Sequence, residues 1–453
     1  MSRALAGHYD HVNHYTSGAA ASRLVTAGPF AVFLAATYFL ELDVLREGIN
    51  FGNIFVLLGS WYAIVMALMR KYSFGKYFMP MHATDAIFIA YLAFLTWTVT
   101  WSPLPRDVII QVIFVGSAWL AAASLADTPA IKVASFIAKS AVLLGILSFA
   151  MIFVRPDAAF QAYSATDRPE LKGVFFHQQR LGLFMAMAIG LVGISYLNGE
   201  MKRVLSGWLS YSRTIAVAVI VVALIAAFAR SYTVFLVVSL AIAFAVNQRG
   251  WKKGVILSGA FMAFVCMFLF YDQIAATLGE TDADLTLTGR TMIWERSLEV
   301  AALRPWTGQG FASFGASKFD YLWGAYRPPH AHNTFIQAYF DSGIVGLVLL
   351  VMFILAQLRV GVLVSQVMRR YSYSLFLGSL TLFAGLTGVF YGGKLTALFC
   401  TTMLVTAIEA EQVRRLRRSR RQARRDLPNA RSSAAGLAAP QSASAPSMPG
   451  GRA

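Results

Sequence analysis

The chain has 453 residues, of which 57% are hydrophobic and only 13% are charged. Soluble domains carry about 25% charged residues, so this composition excludes an ordinary soluble protein and indicates a membrane protein. The formal net charge is +17, and the charged residues lie between apolar segments and at the C-terminal end. Membrane topology produces this pattern, which argues against nucleic-acid binding.

Apolar segments of about the length needed to cross a bilayer recur along the chain. The predicted spans are 25–41, 51–69, 84–101, 108–125, 133–154, 181–197, 214–229, 231–246, 254–272, 333–357, 372–390 and 395–410. The spans 214–229 and 231–246 are short, so counts from ten to thirteen stay open. The sequence therefore predicts an all-α integral membrane protein with about twelve transmembrane helices and a large loop, 273–331, between the ninth and the tenth.

The charges of the loops predict the orientation. Basic residues recur in the even-numbered connections and in the arginine-rich stretch 414–425, whereas the first odd-numbered loop carries Glu41 and Asp43. Positive residues mark the cytoplasmic side, so both termini are predicted to be cytoplasmic and loop 273–331 to face outward. The predicted regions are a cytoplasmic N-terminus 1–24, a membrane domain 25–410, a basic cytoplasmic segment 411–427 and a disordered tail 428–453.

Polar residues from four separate parts of the chain share the predicted outer face. One group ends the long outer loop 155–180, and a second lies between two short spans. A third starts a helix in loop 273–331, and the fourth closes that loop. The candidates are His177, Gln178, Gln179, Arg180, Arg230, Arg290, His330, His332 and Asn333.

The arginines are candidates for binding an anion. Arg230 interrupts an apolar stretch, where an arginine at mid-bilayer costs about 2.5–3.5 kcal/mol. It either faces a cavity or reaches the interface by snorkelling. Arg290 follows Thr288 and Gly289 at a predicted helix start, where a guanidinium beside free backbone N–H groups suits a phosphate oxygen. The alternative for Arg290 is a solvated side chain, with Gly289 serving the turn.

His332 is the candidate for proton transfer. It precedes Asn333, a favourable N-cap for the helix that follows. The positive end of a helix dipole disfavours a protonated histidine, so His332 is predicted to be neutral and able to accept a proton. The alternative is an interfacial histidine without chemistry. His330 is either a further contact or an exposed side chain, and Gln178 and Gln179 are weak candidates for binding sugar hydroxyls.

Three stretches resemble the O-antigen ligase and polymerase superfamily, and most of all its exopolysaccharide repeat-unit polymerases. They are Gly173–Gly182, which is similar to the family's Gly-x-Phe-x-His-Lys-Asn-x-Leu-Gly; Leu287–Glu295, with Pro305 and Gly308-Gln309-Gly310 after it; and Ala331-His332-Asn333, followed by Gln337, Gly343 and Gly346. The chain departs from the family at Gln178 and Gln179, where the family has Lys and Asn. Arg230 lies two positions upstream of the family's arginine in Ser-x-Ser-Arg-Thr.

The resemblance implies a GT-C-like glycosyltransferase of the bacterial inner membrane that needs no metal and no cofactor. Its donor would be a glycan on undecaprenyl diphosphate at the periplasmic face. By this resemblance, His332 is catalytic and Arg290, Arg230 and Arg180 bind the lipid diphosphate. The weaker candidates for contacting the glycan are His177, Gln178, Gln179, Asn333 and His330.

The identity of the acceptor distinguishes the two enzymatic functions that stay open, polymerase and ligase. A second lipid-linked repeat makes the protein a polymerase for exopolysaccharide or O-antigen, whereas lipid A-core makes it an O-antigen ligase. A non-enzymatic transporter of polysaccharide or lipid-linked glycan is the alternative of a different class, and it would favour charges at mid-membrane depth and repeat symmetry. Expected partners are membrane lipids, a flippase and a chain-length regulator, but not nucleic acid.

Overall fold

The computed structural model describes residues 20–38, 40–42, 51–73, 82–161, 169–269, 286–323, 328–390 and 395–437. Two compact units divide the chain, Met1–Glu411 and Gln412–Ala453. The main helices are α1 Ala20–Tyr38, α2 Phe51–Ser73, α3 Ala83–Trp97, α4 Pro105–Ser124, α5 Ala130–Val154, α6 Gln178–Leu197, α7 Arg213–Ala226, α8 Arg230–Ala245, α9 Trp251–Leu269, α10 Thr286–Ala302, α11 Thr334–Met368, α12 Tyr373–Thr387 and α13 Ala397–Leu437.

Short elements connect these helices. Phe160–Gln161 and Glu170–Leu171 form a two-stranded antiparallel hairpin in the first long loop. Single helical turns lie at Pro156–Ala159 and Met201–Val204, and 3-10 turns lie at Thr98–Thr100, Gly207–Ser210, Ser313–Gly315 and Ser317–Leu322.

Each predicted span overlaps one of the helices. Within the described residues, five helices are long and apolar enough to cross a membrane: Ala83–Thr100, Pro105–Ser124, Ala130–Val154, Gln178–Leu197 and Thr334–Met368. Five shorter apolar helices are Gly28–Tyr38, Ile54–Met69, Arg213–Ala226, Arg230–Ala245 and Tyr373–Thr387. The helical membrane fold is therefore confirmed, and the count of twelve crossings stays a prediction.

Helix α6 lies at the centre of the first unit. In its apolar stretch 72% of the residues are buried, against 33–44% in the other four long helices. It packs against α5, α7, α8 and α12. Because α6 begins at Gln178, directly after His177, this central position places the end of the first long loop over the middle of the bundle.

The described part of loop 273–331 builds a second, smaller core. Helix α10 buries Ile293, Val300 and Ala301 against Phe314 and Phe340. Trp323 and Leu322 belong to the same cluster. The loop is therefore a packed substructure that can hold side chains in fixed places.

Helix α13 continues to Leu437, which lies beyond Pro428, the residue after which a disordered tail is predicted. The rest of that tail, 438–453, lies outside the described residues, as do residues 270–285 of the large loop. The disorder of the tail stays a prediction.

Candidate active site

Helix α11 is broken at Gly343, and the break shapes the site. Gly343 has φ 63° and ψ −165°, so a short helical segment, 334–342, precedes the membrane-length segment 344–368. The span predicted at 333–357 is therefore helical but interrupted at Gly343. Because the break separates the two segments, His332 precedes the short segment and not the membrane-length one.

The loop after α10 inserts into this break and satisfies its backbone groups. Gln309 N donates to Phe340 O at 2.8 Å, and Ile344 N donates to Pro305 O at 2.8 Å. Gly308, with φ 67°, approaches so closely that a Cβ there would lie 2.5 Å from the Gly343 nitrogen. Only glycine fits where two backbones meet at this distance.

The turn 330–332 is held by side chains on both sides. Ala331 N donates to Gln337 Oε1 at 2.8 Å, and Trp294 Nε1 donates to Ala331 O at 2.8 Å. His332 has φ 52°, a left-handed conformation that is uncommon for a residue other than glycine. The His332 amide donates to His330 Nδ1 at 3.1 Å, and the two imidazole ring centroids lie 4.2 Å apart. The structure therefore brings the two histidines together as one half-buried pair.

Asn333 is the N-cap of α11, as the sequence predicts. Its Oδ1 accepts from Phe335 N at 2.9 Å and from Ile336 N at 3.2 Å. Its Nδ2 donates to Leu386 O at 3.3 Å. Asn333 thus ties the turn that carries His332 to the end of α12.

The segment 386–390, at the end of α12, joins the separate parts of the site. Helix α10 begins at Thr286, so Arg290 lies in its second turn and not at the predicted helix start. Arg290 Nη1 donates to Thr387 O at 3.4 Å. Thr334 Oγ1 donates to Gly388 O at 2.9 Å and accepts from Phe390 N at 3.0 Å. Arg290 and the His332 turn therefore contact the same short stretch of backbone.

Arg180 reaches the same segment from the start of α6. Its Cζ lies 5.4 Å from the ring centroids of both Phe176 and Phe390. Its Nη1 lies 3.3 Å from Oε2 of Glu41, which is 5% exposed. Glu41 in turn accepts from Ala397 N through Oε1 at 3.1 Å. Arg180 is thus a half-buried cation between two aromatic faces and a buried carboxylate.

Tyr232 packs beside segment 386–390. Its ring meets the Phe390 ring edge-on, with centroids 6.5 Å apart. The charges of Arg180 and Arg290 act on its hydroxyl. Tyr232 is 4% exposed, so it is a buried residue beside the segment that both arginines contact.

Arg230 starts α8, two residues before Tyr232. Its Cζ lies 4.6 Å above the ring of Phe228, which has φ 51°. This cation–π contact keeps the guanidinium beside the turn between α7 and α8. A role for Arg230 in binding an anion stays a prediction.

The residues before Arg180 have local contacts. His177 is the N-cap of α6, and its Nδ1 accepts from Gln179 N at 3.1 Å. Gln178 is 4% exposed, and its Nε2 donates to Glu170 Oε2 at 2.6 Å. These contacts join α6 to the hairpin strand Glu170–Leu171, so they shape the loop whether or not the side chains also bind glycan.

Sequence reasoning did not select Glu41, Tyr232 or the segment 386–390 as parts of the site. Glu41 counted only as an acidic loop residue, and Tyr232 is an ordinary aromatic residue in an apolar span. Leu386, Thr387 and Gly388 act through backbone carbonyls, which carry no sequence signal. The signal that could have identified Glu41 is a carboxylate in a loop on the same predicted face as the basic candidates.

Comparisons with known proteins relate part of the chain to one family. Residues 215–351, which contain Arg230, Arg290 and His332, match a family described as O-Antigen ligase. "Exopolysaccharide production protein ExoQ" from Rhizobium meliloti (strain 1021) is 40% identical over 83 residues, which are 17% of this chain and 19% of that relative. The alignment thus spans less than a fifth of the relative's length. The resemblance to the O-antigen ligase and polymerase superfamily is confirmed, and with the apolar helices it indicates a multi-pass membrane protein.

Proposed function

We propose that the protein is a membrane glycosyltransferase that polymerises glycan repeats carried on undecaprenyl diphosphate. One observation carries the proposal: Arg180, Arg290 and the His332 turn, from three distant parts of the chain, meet at segment 386–390. A cluster of two guanidinium groups suits a diphosphate, and an adjacent imidazole suits the deprotonation of a sugar hydroxyl. The match of residues 215–351 to an O-antigen ligase family supports the same chemistry.

Arg290 and Arg180 have the chemistry to hold the diphosphate of the donor. Both are half-buried, so their charges are less screened by water than those of exposed arginines. The leaving diphosphate gains negative charge as its bond to the anomeric carbon breaks. Cations already fixed around it therefore stabilise the transition state more than the ground state.

His332 takes the proton of the acceptor. The acceptor hydroxyl oxygen forms a bond to the anomeric carbon, while the bond between that carbon and the diphosphate oxygen breaks. The diphosphate leaves with the electron pair of the broken bond, and the hydroxyl proton passes to the imidazole. A proton acceptor placed in this way contributes about 10²–10⁴-fold to such a reaction.

The acceptor separates polymerase from ligase. A second lipid-linked repeat gives exopolysaccharide or O-antigen polymerisation, and the relative named for exopolysaccharide production supports this reading. Transfer to lipid A-core gives an O-antigen ligase, and the description of the matched family supports that one. Transport without catalysis is the weaker candidate, because the basic residues gather around one turn instead of following a path.

The membrane context follows from the proposed substrate. Lipid-linked glycans are extended at the periplasmic face of the bacterial inner membrane, so loop 273–331 would be periplasmic and both termini cytoplasmic. A flippase would supply the donor and a chain-length regulator would limit the product. No metal or cofactor is needed for the roles assigned to Arg290 and His332.

Purified protein in lipid nanodiscs tests the proposal. With a lipid-linked repeat as the sole substrate, we expect products of two or more repeats on one lipid. If products form only after lipid A-core is added, the protein is a ligase. If the lipid-linked repeat is bound but is consumed with neither acceptor, the glycosyltransferase proposal fails.

A further inference from the structure

A network of buried hydrogen bonds supports the turn that carries His332. Ala331 N donates to Gln337 Oε1 at 2.8 Å, and Gln337 Nε2 donates to Asp341 Oδ2 at 2.8 Å. Ser313 Oγ donates to Asp341 Oδ1 at 3.2 Å. Gln337 is 7% exposed, Asp341 is 3% exposed and Ser313 is fully buried. These bonds connect the turn to the core of the large loop.

The network has one hydrogen-bond direction. The Ala331 N–H can only donate, so Gln337 presents its carbonyl oxygen to Ala331 and its NH₂ group to Asp341. Asp341 accepts at Oδ2 and so stabilises this orientation of the Gln337 amide against the flipped one. Ser313 Oγ donates to the other oxygen, so the side chain of Asp341 is itself held in place.

The two peptide groups on either side of Ala331 set the backbone conformation of His332. A residue other than glycine stays in the left-handed region only where its surroundings impose it. The peptide group before Ala331 is fixed by Gln337. The next one is fixed by Trp294 through the Ala331 carbonyl and by His330 through the His332 amide.

We propose that Gln337 and Asp341 are positioning residues that hold His332 where it accepts the proton of the acceptor hydroxyl. The proposal rests on the function proposed above. Neither residue touches the substrate. Both act through the Ala331 amide, and both lie in the short segment 334–342 before the break at Gly343.

Two isosteric substitutions and their combination test this positioning. Gln337→Glu places a carboxylate against that of Asp341. Asp341→Asn keeps only one acceptor oxygen, so either Ser313 Oγ or Gln337 Nε2 loses its acceptor, and in the second case Gln337 turns its amide over and leaves the Ala331 N–H facing a donor. In the double variant, the carboxylate introduced at position 337 accepts both from Ala331 N and from the amide introduced at position 341. The double variant therefore restores every bond with the same shape and net charge.

We expect each single variant to lower kcat for glycan transfer by up to about 10²-fold, the usual effect of a small misplacement of a catalytic group. KM for the lipid-linked donor should stay within about twofold of wild type, because the donor is not touched. The double variant should recover most of kcat. Gln357→Glu is the matched control: Gln357 is 1% exposed and lies in the membrane-length segment of the same helix, far from the turn. The control should lower thermal stability without changing kcat.

A double variant that inserts and melts like wild type but is as slow as the single variants overturns the positioning role. Wild-type kcat in both single variants overturns it as well. Should Asp341→Asn alone fail to fold, Gln337→Glu against the double variant carries the same comparison. His332→Ala, measured alongside, separates the two proposals. Wild-type transfer by His332→Ala overturns the proposed function. If His332→Ala loses glycan transfer while Gln337→Glu and Asp341→Asn transfer normally, only the positioning role is overturned.

Discussion

Arg290 and Arg180 differ in how their charges are paired. Arg180 faces the buried carboxylate of Glu41 at 3.3 Å. The described hydrogen bond of Arg290 is a long one, 3.4 Å, to the carbonyl of Thr387. A guanidinium with one weak bond keeps donors for a ligand, so Arg290 is the better candidate for direct contact with a diphosphate.

Replacing Arg290 should affect binding of the donor as well as turnover. The diphosphate is charged both in the bound donor and in the leaving group, so Arg290→Ala should weaken donor binding by about tenfold or more, the range of a charge-assisted hydrogen bond. Arg290→Lys should recover only part, because lysine lacks the planar fork. Binding of the lipid-linked donor to purified protein measures both effects.

Arg296→Ala is the control for loss of an arginine from the same helix. Arg296 Nη1 donates to the Leu322 carbonyl within the core of the large loop, so this variant should lower thermal stability and leave donor binding unchanged. Equal donor binding by Arg290→Ala and wild type would remove Arg290 from the site.

At the scale of elements, the interrupted helix α11 is the feature on which the site depends. The break separates the short segment 334–342 from the membrane-length segment 344–368. The loop 305–310 packs into the break and hydrogen-bonds to both sides of it. Broken helices expose backbone groups that must find partners, and here the inserted loop supplies them. The turn that carries His332 is thereby joined to the same structure that α10 and Arg290 belong to.

The glycines at the break should be intolerant of a side chain. Gly343→Ala would place a Cβ 2.4 Å from the Trp306 carbonyl carbon, and Gly308→Ala would place one 2.5 Å from the Gly343 nitrogen. Both positions also have positive φ, and Gly343, with ψ −165°, lies in a region almost confined to glycine, so the backbone conformation by itself costs an alanine on the order of 1–3 kcal/mol. We therefore expect both variants to lose more stability than positive φ alone explains, measured by thermal unfolding in detergent.

Gly199→Ala is the matched control for backbone conformation. Gly199 has φ 71°, but a Cβ there meets nothing within 4 Å. This variant should show the cost of positive φ alone. Equal melting temperatures for Gly199→Ala, Gly308→Ala and Gly343→Ala would contradict the close packing of the two backbones at the break.

The sequence predicts the positions of the elements better than their continuity. Apolar runs identify the helices, and Asn333 identifies the start of α11 through its capping chemistry. The break at Gly343 is hidden because the residues after it continue an apolar run. It is stabilised by hydrogen bonds to Pro305 and Trp306, which are distant in sequence.

The site shows the same division. Arg180, Arg290 and His332 are predicted on one face from loop charges alone, and the structure brings both arginines and the turn that carries His332 to segment 386–390. Their partners could not be predicted, because Glu41 and Tyr232 join the site only through the packing of α1, α6 and α8. A tertiary neighbour leaves no periodic pattern in a single sequence.

For the whole molecule, orientation is the prediction on which the location of the reaction depends. Tyr321 in the large loop is 73% exposed, and Tyr211 in a connection predicted to be cytoplasmic is 94% exposed. In a protein with Cys266 and Cys400 replaced, Tyr321→Cys should react with an impermeant thiol reagent in intact cells with a permeabilised outer membrane. Tyr211→Cys should react only after lysis, and the reverse pattern would place the site in the cytoplasm.

The end of the chain should be dispensable for catalysis. Residues 428–453 consist mostly of Ala, Ser, Pro, Gly and Arg, a composition that cannot bury a core. Protein that ends at residue 427 should insert normally and restore glycan assembly in a deletion strain. Loss of assembly by a truncated protein that still inserts would assign this segment a role of its own.

Single-turnover glycan transfer by His332→Ala, with donor binding measured on the same nanodisc preparation, tests the central claim most directly. The donor needs no proton acceptor in order to bind, so we expect donor binding close to wild type and transfer slower by about 10²–10⁴-fold. His82→Ala, which changes a half-buried histidine on a connection predicted to be cytoplasmic, should transfer normally. Transfer by His332→Ala at the wild-type rate would show that His332 serves only the turn before α11 and would contradict the proposed mechanism.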